Sequence, residues 1–182
     1  MGKIDEIKII LLDVDGVLTD GSIILKGSEE IKVFNVQDGL GIKLAQRAGI
    51  KVFFITNRKS EAVKQRAKEL EVDGIYLGIE NKSLVFSEII EKNKVSPQQI
   101  AYIGDDLIDI PIMVLAGCPV AVANARDEVK KIACHVTQKR GGHGAVREAI
   151  EWILKQNGKW ESVVSDYLEE HGYANNYKEL EI

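Results

Sequence analysis

Cysteine is almost missing. Cys118 and Cys134 are the two in 182 residues, without a Cys-x-x-Cys spacing and with only three histidines in the whole chain. This excludes a disulfide framework and a zinc site of thiolates and imidazoles, and leaves both thiols as candidate core residues. Basic clusters are missing too: 24 lysines and arginines stand against 28 acids, for a net charge of −4, with no block of like charge. Nucleic acid is therefore not an expected partner. No apolar run is long enough to cross a bilayer, and no charged-then-apolar leader opens the chain, so no membrane partner is expected and the cytoplasm is the expected location. The stretch GGHGA at 141–145 lacks the Lys-Ser/Thr that would complete a nucleotide P-loop, which removes an ATPase reading.

What remains is a chain that is 45% hydrophobic and 29% charged, as suits one domain with a sizeable core. Short β-rich runs alternate with amphipathic segments, and no low-complexity linker divides them. That rhythm predicts an α/β fold with a parallel sheet. Strands are expected at Ile7 to Leu12, Lys51 to Thr56, Gly74 to Leu77, Ile100 to Ile103 and Pro119 to Val122. Apolar stripes at helical spacing run through Ala62–Leu70, Leu84–Ile90 and Ala145–Leu154. Two extended stretches around Gly27-Ser28 predict a β-hairpin inserted at about 21–35. Gly39 and Gly41 read as a turn into a helix, and Gly141, Gly142 and Gly144 as a loop before one. The main domain is expected over 1–158. The segment 159–182 reads as a tail with a short helix near Glu161 to Glu169, pinned by Trp160, and a mobile end.

In an open parallel sheet, ligands bind beyond the carboxyl ends of the strands, where the strand-to-helix loops converge. Asp13 and Asp15 follow the first strand; Thr56, Asn57 and Arg58 close the second; Lys82 opens the helix after the third; Gly104, Asp105, Asp106 and Asp109 follow the fourth. Alone, each has a structural explanation, as a cap or a solvated side chain. Together they meet the needs of phosphoryl transfer through an aspartyl phosphate: a carboxylate nucleophile, charge neutralisation and a proton donor. A hard cation such as Mg²⁺ binds oxygen ligands, which Asp13 and Asp105 can supply, and it compensates carboxylates set at the end of a buried apolar run.

The ordered stretches DVDGVLTDG, ITNR, the solitary Lys82 and GDDLIDIP resemble the four motifs of the haloacid dehalogenase superfamily of phosphatases. The resemblance implies a single Rossmann-like domain with Mg²⁺ as cofactor. It implies Asp13 as nucleophile and metal ligand, and Asp15 as acid, then base, offering its backbone carbonyl to the metal. Thr56 would hydrogen-bond the phosphate, Lys82 would neutralise it, and Asp105 would bind the metal, with Asp106 and Asp109 supporting metal waters or orienting neighbours. About forty residues between Asp13 and Thr56, and about twenty-five from there to Lys82, leave no room for a separate cap domain.

Beyond these motifs, KVFNVQDGLGIKLA and TQKRGGHGAVREAIEWILKQNGK resemble the 3-deoxy-D-manno-octulosonate 8-phosphate phosphatases. That likeness implies a phosphorylated sugar-acid substrate on the route to lipopolysaccharide, and a homotetramer built through the hairpin, with sites near subunit interfaces. Sister enzymes act on nonulosonate 9-phosphates. Arg58 and Glu69 stand at the positions that differ between the two groups, and the planar fork of Arg58 suits a sugar-acid carboxylate. An ion pair with a local acid is the competing reading of Arg58. Asn57 stands where the family usually has glycine, and asparagine tolerates unusual backbone angles. Two non-enzyme readings compete. A signalling receiver would need its acceptor aspartate after the third strand, where IYLG has none, and a silent oligomerisation module would not need Asp13, Asp15, Lys82 and Asp105 intact.

Overall fold

The computed structural model describes residues 7–27 and 29–173. Six strands form one parallel sheet: β1 (Ile9–Leu12), β4 (Lys51–Thr56), β5 (Gly74–Leu77), β6 (Ile100–Gly104), β7 (Cys118–Ala121) and β8 (His135–Val136), in the order β5-β4-β1-β6-β7-β8. Between β1 and β4 come the antiparallel pair β2 (Ile24–Lys26) and β3 (Glu29–Ile31), which is the expected hairpin. Ser28 at its turn lies outside the described residues.

The strand expectations hold to within two residues at each end. Every residue of β1 is buried, because helices cover both faces of a parallel sheet. The expected strand set lacked β8, whose two residues carry no periodic pattern. The helices are α1 (Val36–Arg47), α2 (Glu61–Leu70), α3 (Lys82–Asn93), α4 (Ile110–Met113), α5 (Asp127–Ile132), α6 (Ala145–Gln156) and α7 (Trp160–Glu170). α1 packs against α2, α6 and α7, whereas α3 packs against α4 and α4 against α5. None of the described helices is long and apolar enough to cross a membrane.

Gly39 and Gly41 correct the reading of a turn, because both lie inside α1. A β-carbon on Gly41 would stand 3.0 Å from Cα of Arg147, so glycine here lets α6 come close to α1. Asp38 strengthens the same junction: it is buried in α1 and accepts from the Arg147 backbone N–H at 2.8 Å, capping the start of α6. Burial pushes its carboxyl above the usual range. α7 contains the helix expected near Glu161 to Glu169. Its Trp160 and Val163 join the core, so the chain beyond 158 begins as part of the same body. Of the mobile end expected after Glu169, residues 174–182 lie outside the described residues. Cys118 is buried and Cys134 half-buried, with their sulfurs 3.5 Å apart as free thiols.

Candidate active site

β1 sits in the middle of the sheet, and the strands on its two sides are reached by connections running in opposite directions. A crevice therefore opens at its carboxyl end. Asp13 continues the ladder there, its N–H donating to Ile103 at 3.1 Å. The chain then turns tightly: the Val14 carbonyl accepts from Val17, Leu18 and Thr19. Gly16 adopts φ +91°, and a β-carbon on it would lie 2.0 Å from Oδ2 of Asp105. No other residue lets this loop pass so close to that carboxylate. Asn124 locks the contact, its Nδ2 donating to the Gly16 carbonyl at 2.9 Å and its Oδ1 accepting from Gly141 N–H at 2.6 Å.

Lys82 is the first residue of α3, presented by an Asn81 cap whose side chain accepts from Ser83 N–H. It is buried, and its ammonium donates to Asp13 Oδ1 at 2.5 Å, Asp109 Oδ1 at 2.7 Å and the Tyr102 hydroxyl at 3.0 Å. Burial alone would depress this ammonium, but Asp13 and Asp109 outweigh it and raise its pKa. Asp13 is pushed well above the usual carboxylate range by burial first and by Asp109 next, with Lys82 pulling the other way.

Carboxylate oxygens of Asp13, Asp105 and Asp109 lie within 4.8 Å of one another. The three are not equivalent. Asp109 is saturated: its Oδ1 accepts from Lys82 and from Tyr102 at 2.7 Å, and its Oδ2 from the backbone N–H groups of Asp105 at 2.9 Å and Asp106 at 3.3 Å. With about four acceptor positions on a carboxylate all used, it can orient but has no lone pair left to offer. Asp105 is pushed up to about 7 by burial and then by the charges of Asp109 and Asp106. A set of hard oxygen donors that disfavour one another's charge fits a magnesium-like cation.

Asp15 comes to the same place. Its Oδ2 accepts from the Thr56 hydroxyl at 3.3 Å, and Thr56 in turn accepts from Arg58 N–H at 3.1 Å. Asp106 does not join the group. It is exposed and caps a 3-10 turn over Leu107–Asp109, its Oδ1 accepting from Leu107 N–H at 2.7 Å. Asn57 is exposed. Among the described residues Glu71 and Lys94 are the non-glycine residues at positive φ, so the backbone at 57 does not call for glycine. Arg58 realises its competing reading, an ion pair with Glu30 at 3.1 Å, while remaining 44% exposed. Glu69 pairs with Arg66 at 2.9 Å.

A model of haloacid dehalogenase-like hydrolases matches residues 80–150. The 3-deoxy-D-manno-octulosonate 8-phosphate phosphatase KdsC of Escherichia coli is 44% identical over 160 residues, which span 87% of this chain and 85% of that relative. The chain belongs to the 3-deoxy-D-manno-octulosonate 8-phosphate phosphatase family. Among solved structures, the family's phosphatase from Moraxella catarrhalis, in complex with magnesium, phosphate and KDO, has a TM-score of 0.87 at 37% identity, covering 91% of this chain and 95% of that one. The cobalt-bound family phosphatase from Haemophilus influenzae has a TM-score of 0.84 at 38% identity, covering 88% of this chain and 94% of that one.

Three residues of this family member's site were missed in the sequence. Tyr102 holds Lys82 and Asp109 from the middle of β6; the signal was a phenol in an otherwise aliphatic run, where a buried hydroxyl needs a partner. Lys32 and Glu30 reach the site from the hairpin. Lys32 contacts Asp15, and Glu30 is held below the usual carboxylate range chiefly by Lys32. Nothing local in the sequence signals that pair.

Proposed function

We propose that this chain hydrolyses 3-deoxy-D-manno-octulosonate 8-phosphate to 3-deoxy-D-manno-octulosonate and phosphate, with the phosphoryl group carried on Asp13. The observation that supports it most is the buried Asp13–Lys82–Asp109 grouping beside Asp105, at the crevice of a fold shared with this family. Asp13 Oδ1 is engaged by Lys82, which leaves Oδ2 to attack phosphorus. The Lys82 charge works against the burial that raises the Asp13 carboxyl and neutralises the incoming phosphate. Thr56 turns its one hydroxyl proton from Asp15 Oδ2 to a phosphate oxygen when substrate binds, which leaves that Asp15 oxygen to carry the acid's proton. Asp15 gives its proton to the sugar oxygen as the phosphorus–oxygen bond breaks, then takes one from the water that attacks the phosphoaspartate and restores Asp13. Asp13, Asp105 and the Asp15 carbonyl would hold Mg²⁺, which supplies charge neutralisation at the phosphate, while Asp109 orients the groups around it. Arg58, with Asn57 beside it, faces the sugar acid.

The deciding experiment is Mg²⁺-dependent phosphate release from octulosonate 8-phosphate, a nonulosonate 9-phosphate and simple sugar phosphates at matched concentrations. Preference for the first is expected, and Asp13→Asn is expected to abolish it. Preference for the nine-carbon substrate would keep the chemistry and remove the role of Arg58. Absence of turnover would overturn the reading.

The finer features belong to the same proposal: a homotetramer acting in the cytoplasm. Ile23, Ile24, Leu25, Ile31 and Val33 on and around the hairpin are exposed, an apolar run of the kind that copies of a chain bury on assembly. Light scattering is expected to give four times the 20.2 kDa chain mass; a monomer would remove the assembly.

A further inference from the structure

The hairpin reaches into its own chain's site as well as outward. Directly after β3, Lys32 sends its side chain back to the loop after β1, where the ammonium contacts Oδ1 of Asp15 and lies 2.9 Å from Oε1 of Glu30. That side chain is only 1% exposed, an unusual state for lysine unless it is paired. Glu30 passes the contact on to Arg58 at 3.1 Å. Four side chains of alternating sign, Asp15, Lys32, Glu30 and Arg58, thus run in a line. Asp15 is held at both oxygens, by Lys32 on Oδ1 and Thr56 on Oδ2.

We propose that Lys32 is a positioning residue for proton delivery: it fixes the Asp15 carboxyl group in the orientation that serves the leaving oxygen. This rests on the reading of Asp15 as the acid. When Asp13 forms its bond to phosphorus and the bond from phosphorus to the sugar oxygen breaks, the proton passes from Asp15 to that oxygen and Asp15 is left a carboxylate. An ammonium already in place beside it meets that new charge without reorganisation. Lys32 has given up its water for two carboxylates, so the contact is not an exposed pair that salt would screen. Glu30 fixes the lysine from the far side, and because Glu30 also holds Arg58, the hairpin ties the acid to the residue facing the substrate.

The test separates proton delivery from general structural support. Values of kcat/KM cover the steps up to leaving-group departure, and 4-nitrophenyl phosphate, as its phosphoryl group passes to Asp13, releases 4-nitrophenolate, which needs no proton. Lys32→Met is expected to lose about 100-fold on octulosonate 8-phosphate and less than about tenfold on the aryl ester, within the range of general acid catalysis. Lys32→Arg, which restores the cation, is expected to recover most of that loss. If Lys32→Met does not fold, Lys32→Gln is read by the same ratio. Equal losses on both substrates, or none on either, overturn the role of Lys32 while leaving the phosphatase reading in place. A wild-type chain that hydrolyses neither ester with Mg²⁺ overturns both.

Discussion

The phenol of Tyr102 donates to Asp109 at 2.7 Å while its oxygen accepts from the Lys82 ammonium at 3.0 Å. A single buried hydroxyl thus joins the cation and the carboxylate that flank the proposed nucleophile.

Tyr102→Phe removes that link without changing the shape of the core. Asp109 loses one donor and Lys82 one acceptor, both buried, which is expected to cost about 1–3 kcal/mol of stability. Turnover is expected to fall about tenfold, because Lys82 is then steered by two partners instead of three; tenfold is equivalent to roughly 1.4 kcal/mol in the barrier. Urea unfolding and phosphate release check the two effects separately.

The adjoining aspartates of GDDLID should behave very differently. Asp106 is an exposed cap, so Asp106→Ala is expected to cost about 1 kcal/mol of stability and to leave turnover nearly unchanged. Asp109→Ala leaves Lys82 buried with one carboxylate and strips the donors of Asp105 and Asp106 of their acceptor. It is expected to destabilise by about 3–5 kcal/mol and to lower turnover on the order of 100-fold. Comparable losses in kcat for both variants would contradict this division.

Metal affinity should depend on pH through Asp105. With its carboxyl pushed up to about 7, a proton competes for the oxygens that a cation needs. Apparent Mg²⁺ affinity is expected to fall about tenfold per pH unit as Asp105 takes up its proton below about 7. Calorimetric titration at several pH values reads this directly. The same shift sets a stability trend in the metal-free protein. Folded Asp105 keeps its proton up to about 7 and unfolded Asp105 loses it near 3.8, so this group opposes folding increasingly as pH rises between those values. Added Mg²⁺ should reverse that trend, which a melting series with and without the ion would show.

The legible parts of this molecule are those written in local pattern. Strands such as Lys51–Thr56 announce themselves by continuous apolar residues, and the loops after them announce the site because Asp13, Thr56, Lys82 and Asp105 all fall at strand or helix ends. Three kinds of feature were not legible. The helix α1 carries Gly39 and Gly41 for the sake of its neighbours, so a tertiary close approach overrode the propensity that suggested a turn. Asp106 and Asp109 look alike in sequence, and only the 3-10 turn between them faces one outward and the other inward. Lys32 and Glu30 reach Asp15 and Arg58 through an insertion whose direction no spacing rule gives.

The central position of β1 also governs how the chain must fold. Its partner on one side, β6, arrives about ninety residues later, and Asp13 meets Asp105 only when that pairing is made. The Gly16 loop is then closed by Asn124 and Gly141, still further along. Before that pairing forms, Asp13 and Asp15 stand apart from Asp105 and Asp109. Their mutual repulsion is first felt only once that long-range pairing is made, so the site assembles against the closure entropy of a loop of about ninety residues.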